Sequence, residues 1–168
     1  FDKAIYSKDY SITPHFYIND RYFHRIYTQP KRYMEIQKRY DSVVAPDFSQ
    51  LVGMAYPQRM YHCYLNRAFA RYWHQNGINV IPNITWSAPD SYAYSFIGVK
   101  KRGIIAINSM GIKHSPTSKY LWLRGYKEAI SIIEPSVILR YGDKIEGEDE
   151  SRSVYFPNVE LDILRNGR

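Results

Sequence analysis

The chain predicts an α/β fold, one compact domain of alternating strands and helices around a mostly parallel sheet, either open or part of a barrel. Three observations carry the prediction. Apolar runs end in polar residues four times over, at Ser42 to Ser49, Ile78 to Ser87, Gly103 to Gly111 and Ser136 to Asp143, which reads as buried strands delivering polar groups at their C-terminal ends. Two long intervening segments repeat apolar residues at the three-and-four spacing of a helix face. The connections are short, so strands joined through helices pair in parallel by right-handed crossovers. At 168 residues, 45% of them hydrophobic, the chain is long enough for one core without staples.

Taken in order, His15 to Ile18 reads as a short strand, followed by a loop and a helix from Pro30 to about Tyr40. Pro30 suits a first helical turn, where its missing N–H has no partner to lose. Ser42 to Ala45 is the next strand. The clearest helix runs from Pro57 to about Asn76, with Tyr61, Tyr64, Leu65, Ala68, Phe69, Tyr72 and Trp73 as its predicted apolar stripe and Gly77 closing it. Ile78 to Trp86 is a strand that Pro82 must interrupt, because proline donates no ladder hydrogen bond. A turn at Ser87 to Asp90 leads into a short helix from Pro89 to about Phe96. Gly103 to Asn108 is the most strand-like segment. Ser115-Pro116 starts a helix whose stripe is Trp122, Tyr126, Ala129, Ile130 and Ile133, and Pro135 stops it. Strands follow at Val137 to Leu139 and near Val154 to Phe156. Residues 1–168 read as a single domain, with an acidic loop at about 142–152 and a terminal strand and tail over 153–168.

Parallel strands that finish in polar residues place a site at their shared C-terminal edge. There Asp47, Ser49, Asn83, Trp86, Asn108, Ser109, Tyr141 and Asp143 form the candidate constellation. Asp47 is the candidate acid–base group, since a flank of Val44 and Phe48 would raise its pKa. The same residue types also cap turns, which is the bland account of Asp47, Ser49 and Asn108. Arg67 sits where its guanidinium reaches a carboxylate such as Asp47, as a structural ion pair or a ligand contact. Lys113, His114 and Ser115 precede a helix start whose free N–H groups and dipole favour an anion, although an ordinary N-cap accounts for Ser115 equally well.

Several classes are excluded. No Walker loop, dinucleotide fingerprint, Gly-x-Ser-x-Gly elbow or zinc-deaminase motif occurs. The five histidines make no recognised metal pair, so no metal and no cofactor is predicted. The single Cys63 forms no internal disulfide, reads as a small packed residue, and fits a reducing, cytoplasmic compartment. Apolar stretches are too short for a membrane-spanning helix. The chain begins at Phe1 rather than Met, as a processed or trimmed product would.

A net charge of +7 and 17 tyrosines point to anionic partners. Arg21, Arg25, Lys31 and Arg32 interleave with Tyr22, Phe23, Tyr27 and Tyr33, a pattern in which cations hold phosphates and rings stack on bases. Tyrosine also serves cores, with one polar atom left wet, and that reading competes residue by residue.

The sequence resembles a known family. Pro46-Asp47-Phe48-Ser49, Asn66-Arg67-Ala68, Gly77-Ile78 with Val80-Ile81-Pro82 and Trp86, then Ser91, Phe96, Gly98 and Tyr141-Gly142 are similar to the domain-of-unknown-function family 4417, over roughly residues 15 to 142. His62 stands where members often carry Asn, and the tail from Lys144 has no counterpart. The resemblance implies carriage by phages and other mobile elements, hence a bacterial host cytosol, and assigns no activity. The leading expectation is a protein that binds a nucleic acid or nucleotide. A hydrolase of a phosphate-containing or glycosidic small molecule, with Asp47 as general acid or base, is the second. A binder that sequesters a host protein or signalling nucleotide is the third.

Overall fold

The structure, a computed structural model, describes residues 6–158. It is an α/β fold in which every pairing between the described strands is parallel, and no barrel closes. The strands do not share one sheet, as the common edge required. Two units form, one up to Thr85 and one from Trp86, and each has a small sheet of its own.

In the N-terminal unit the segment before Pro30 is not plain loop. It winds into two single turns, α1 (Asp20–Phe23) and α2 (Arg25–Thr28), with Asn19 capping the first by accepting the Arg21 N–H at 3.1 Å. Four-residue turns are too short to leave a periodic signature. Then come α3 (Pro30–Gln37), β1 (Val43–Val44), α4 (Tyr56–Gln75) and β2 (Val80–Ile81). β1 and β2 pair with Val43 opposite Val80 and Val44 opposite Ile81. The ladder ends there, just before Pro82. The predicted strand at His15 to Ile18 is absent. Pro14 accepts the Val44 N–H at 2.9 Å, but the Ile18 N–H turns back onto Phe16 O at 2.8 Å, which bends the chain away.

Aromatic rings fill this unit's core. Phe16 stacks on Trp73 with centroids 5.6 Å apart, Phe23 meets Phe16 and Phe48 edge-on, and Phe48 lies against Phe69. Each fully buried ring of this kind contributes roughly 1.5–3 kcal/mol. α4 is rotated from its predicted stripe. Cys63, Leu65, Asn66, Phe69 and Trp73 face inward, whereas Tyr61 and Tyr64 are exposed. Gly77 closes the helix at φ +84°, a conformation that costs other residues a clash.

The C-terminal unit holds a short turn at Pro89–Ser91, α5 (Tyr92–Ser95), β3 (Ile104–Asn108), α6 (Pro116–Ile133), β4 (Val137–Tyr141) and β5 (Ser153–Phe156). The strand order is β3-β4-β5, with Asn108 beside Tyr141 and Tyr141 beside Phe156. Ser115 caps α6 by accepting the Ser118 N–H at 3.2 Å. Gly125 replaces Ile130 as a core position of the predicted stripe, because a Cβ there would lie 2.1 Å from the Trp86 indole nitrogen. The acidic segment between β4 and β5 is tied to the sheet: Glu148 turns inward and takes a bidentate pair from Arg140 at 2.7 and 3.3 Å. The predicted tail beyond Asn158 lies outside the described residues.

Candidate functional site

In the N-terminal unit, the chain leaves β1 as an extended segment in which burial alternates: Pro46, Phe48 and Gln50 are buried, Asp47 and Ser49 only partly. Period-two alternation is what an extended backbone dictates. Phe48 is anchored by Asn66, whose carboxamide accepts the Phe48 N–H at 2.7 Å and donates to the Phe48 carbonyl at 3.2 Å. Asp47 and Asn83 are brought together as predicted: Asn83 Nδ2 donates to Asp47 Oδ1 at 2.7 Å, and Tyr17 OH donates to Asn83 Oδ1 at 3.1 Å. Arg67 Nη1 donates to the Asn83 carbonyl at 2.8 Å, and burial lowers the pKa of its guanidinium.

Ser49 faces a different partner. Its N–H and Oγ both donate to the Asp20 carboxylate, at 3.0 and 2.8 Å, while its carbonyl accepts His62 Nδ1 at 2.6 Å. Asp20, Asn66, His62 and Tyr17 are the participants that sequence reasoning left out. Asn66 and His62 stand within the predicted helix and among the residues of the resemblance, but Asp20 lay in a segment read as loop.

His15 stacks on Tyr17 with centroids 5.0 Å apart and accepts the Tyr17 N–H on Nδ1 at 3.3 Å. Burial lowers its pKa to about 4. The unfolded chain therefore binds a proton that the folded chain refuses, so stability is full above pH 6.5 and falls as pH drops toward 4. A loss on the order of 1–2 kcal/mol by pH 5 is expected. Urea midpoints across pH check this: the difference between the native chain and His15→Leu should shrink with acidification, and parallel curves would refute it.

In the C-terminal unit, Asn108, Ser109 and Lys113 meet the chain leaving β4. Ser109 N–H bonds to Tyr141 O at 3.0 Å, Ser109 Oγ donates to Asp143 O, and Lys113 Nζ lies 3.5 Å from Asp143 Oδ1. Asn108 Oδ1 accepts the Met110 N–H at 3.2 Å, the turn-capping role, and its carbonyl accepts Trp122 Nε1 at 2.9 Å. Trp86 packs on Gly125, Phe96 and Trp122. His114 is exposed beside the Ser115 cap. The single four-stranded edge is thus replaced by two strand ends on separate sheets. Asp47 and Asn83 belong to one, Asn108 and Ser109 to the other.

The basic segment is arranged over α1 to α3. Arg21 lies 4.6 Å from the Tyr22 ring centroid and donates to the Tyr22 hydroxyl; Arg25 Nε donates to Tyr22 O at 2.9 Å; Arg32 Nη1 donates to Gln29 Oε1 at 3.0 Å. Lys31 is exposed. Residues 1–85 carry eleven Lys and Arg against six Asp and Glu, so most of the +7 charge resides in this half. The twenty residues of α4 include Arg59, Arg67 and Arg71 and no carboxylate. Among the described residues no cluster suited to a metal ion forms, and no helix is long and apolar enough to cross a membrane.

Residues 1–157 match the family described as domain of unknown function, DUF4417. The Gene 1 protein of Mycobacterium phage L5 is 32% identical over 128 residues, 76% of this chain and 56% of that protein. The Gene 1 protein of Mycobacterium phage D29 is 30% identical over 128 residues, 76% of this chain and 47% of that protein. The chain spans about half the length of these relatives. No solved structure matches it.

Proposed function

We propose, from the premise that the chain belongs to the DUF4417 family and resembles phage proteins, that it binds nucleic acid through the basic surface of its N-terminal unit. The observation that carries this reading is the bonding of the cations. Arg21 and Arg32 hydrogen-bond to uncharged partners, Tyr22 and Gln29, and keep their charge for an incoming polyanion. Arg25 and Lys31 extend the row, and carboxylate-free α4 adds exposed Arg71. Arginine forks match phosphate geometry and position a strand without reading its sequence. The work of such a protein is done in the host cytosol, where nucleic acid is met.

Binding of this kind is salt-dependent, because each neutralised phosphate releases counterions. The observed association constant should fall with a log–log slope of about −0.7 to −0.9 per phosphate contacted, or roughly −3 for the four cations of α1 to α3. Fluorescence anisotropy over a salt series measures it. Arg21→Gln with Arg25→Gln should flatten the slope by about 1.5. Salt-insensitive or absent binding removes the proposal. Turnover of the bound substrate that Asp47→Asn abolishes would favour the hydrolase reading instead.

A further inference from the structure

We infer that the nucleic acid bound by this surface is single-stranded, DNA or RNA, held by base stacking on Tyr61 and Tyr64. This rests on the reading above and adds what phosphate contacts leave open, namely which strand form is bound. α4 inverts the usual order of burial: Asn66 and Arg59 are 1% and 6% exposed, while Tyr61 and Tyr64 are 48% and 63% exposed. Tyrosine gains most from burial when a helix has a core to face, so two rings turned outward beside a buried amide serve something other than the core.

The rings form a group. Those of Tyr61 and Tyr64 are near-parallel, 23° apart with centroids at 6.2 Å. The Tyr61 hydroxyl is hydrogen-bonded to Tyr27, which is itself 49% exposed, and that bond raises the Tyr61 pKa. His24, between α1 and α2, lies 5.7 Å from Tyr27, so this turn and α4 carry four rings, His24, Tyr27, Tyr61 and Tyr64. Cations accompany them in the chain: Arg21 three residues before His24, Arg25 two before Tyr27, and exposed Arg71 two turns beyond Tyr64 on the same face of α4.

The chemistry separates the strand forms. In a duplex the base faces are already stacked on each other, and a protruding ring meets only backbone and groove edges. A single strand can splay its bases onto tyrosines while arginines track its phosphates, and every base has a π-face, so sequence matters little. A protein partner would also meet exposed tyrosines, but exposed Arg71 on a helix without carboxylates, with exposed Arg21, Lys31 and Arg32 on α1 and α3, complements a polyanion; Arg59 and Arg67 turn inward.

The test compares a labelled strand of about 15 nucleotides, as DNA and as RNA, with its own duplex at one salt concentration. Single strands should bind at least tenfold more tightly than duplex. Tyr61→Ala with Tyr64→Ala should weaken single-strand binding roughly ten- to a hundredfold at an unchanged salt slope, and the paired Phe substitutions should retain it. DNA and RNA arms show which strand is preferred. Duplex bound as tightly as single strand, or an Ala pair within twofold of the native chain, overturns the inference and leaves the nucleic-acid reading standing. Absence of binding to every nucleic acid overturns both.

Discussion

Arg140→Met is expected to destabilise the C-terminal unit by about 3–5 kcal/mol, the cost of leaving a buried charge without its partner. The Arg140 and Glu148 side chains are 0% and 1% exposed. The guanidinium also donates to the carbonyls of Ile107, Tyr141 and Asp143 at 3.1–3.2 Å and lies 4.7 Å from the Trp122 ring centroid. One side chain therefore ties β3, β4 and the loop that follows β4, while Glu148 Oε1 accepts the Ile145 N–H at 2.7 Å. Removing the cation strands a carboxylate away from water and takes a donor from three carbonyls, of which Tyr141 and Asp143 keep their bonds from Ser109.

The paired substitution separates attraction from desolvation. Arg140→Met with Glu148→Leu removes both charges, so it should recover part of the stability lost by Arg140→Met alone. Recovery stays incomplete because the Ile145 N–H loses its acceptor. Urea unfolding followed by amide exchange at β3 and β4 reads this unit by itself, since the tryptophans are divided, Trp73 in the N-terminal unit and Trp86 and Trp122 in this one. A single variant within 0.5 kcal/mol of the native chain, or a double variant worse than the single, would remove the pair as a structural tie.

The parts legible in the sequence were those that periodicity and single-residue chemistry decide. A break in the strand at Pro82, Gly77 ending α4, Ser115 capping α6 and parallel pairing of the strands followed from local rules. The division into two sheets did not, because β1 and β2 are ladders of two residues, and an apolar run does not say how much of itself is paired. The inward face of α4 was misplaced for a similar reason. Tyrosines count as apolar in a stripe, whereas Asn66 faces the core because the Phe48 backbone satisfies its amide, a partner eighteen residues away. The acidic segment after Gly142 reads as solvated, and nothing local marks Glu148 as the one carboxylate that turns in. At the site, Asp47 and Asn83 were legible as strand-end polar residues. Ser49's commitment to Asp20 was not.

Asn66→Ala is the substitution expected to disturb the N-terminal unit most, by about 3 kcal/mol. Its carboxamide serves Phe48 as a neighbouring strand would, one acceptor for the N–H and one donor for the carbonyl. Phe48 is 2% exposed and Asn66 1%, so water does not replace what is lost. Each buried group left unmade costs about 1–3 kcal/mol, and the truncated side chain adds a small cavity. Asn66→Asp keeps the acceptor but turns its second oxygen toward the Phe48 carbonyl, where two acceptors face each other. It should therefore be no milder than alanine, despite its near-identical shape. Amide exchange locates the damage. The Phe48 and Ser49 N–H groups should lose protection first, because Asp47 and Ser49 flank the released residue. Val43 and Ala45, bonded to Asn79 O at 3.0 Å and Ile81 O at 2.9 Å, should keep theirs while the ladder stands. Equal loss across residues 43–49 would mean that Asn66 supports the sheet as a whole rather than the polar segment leaving it.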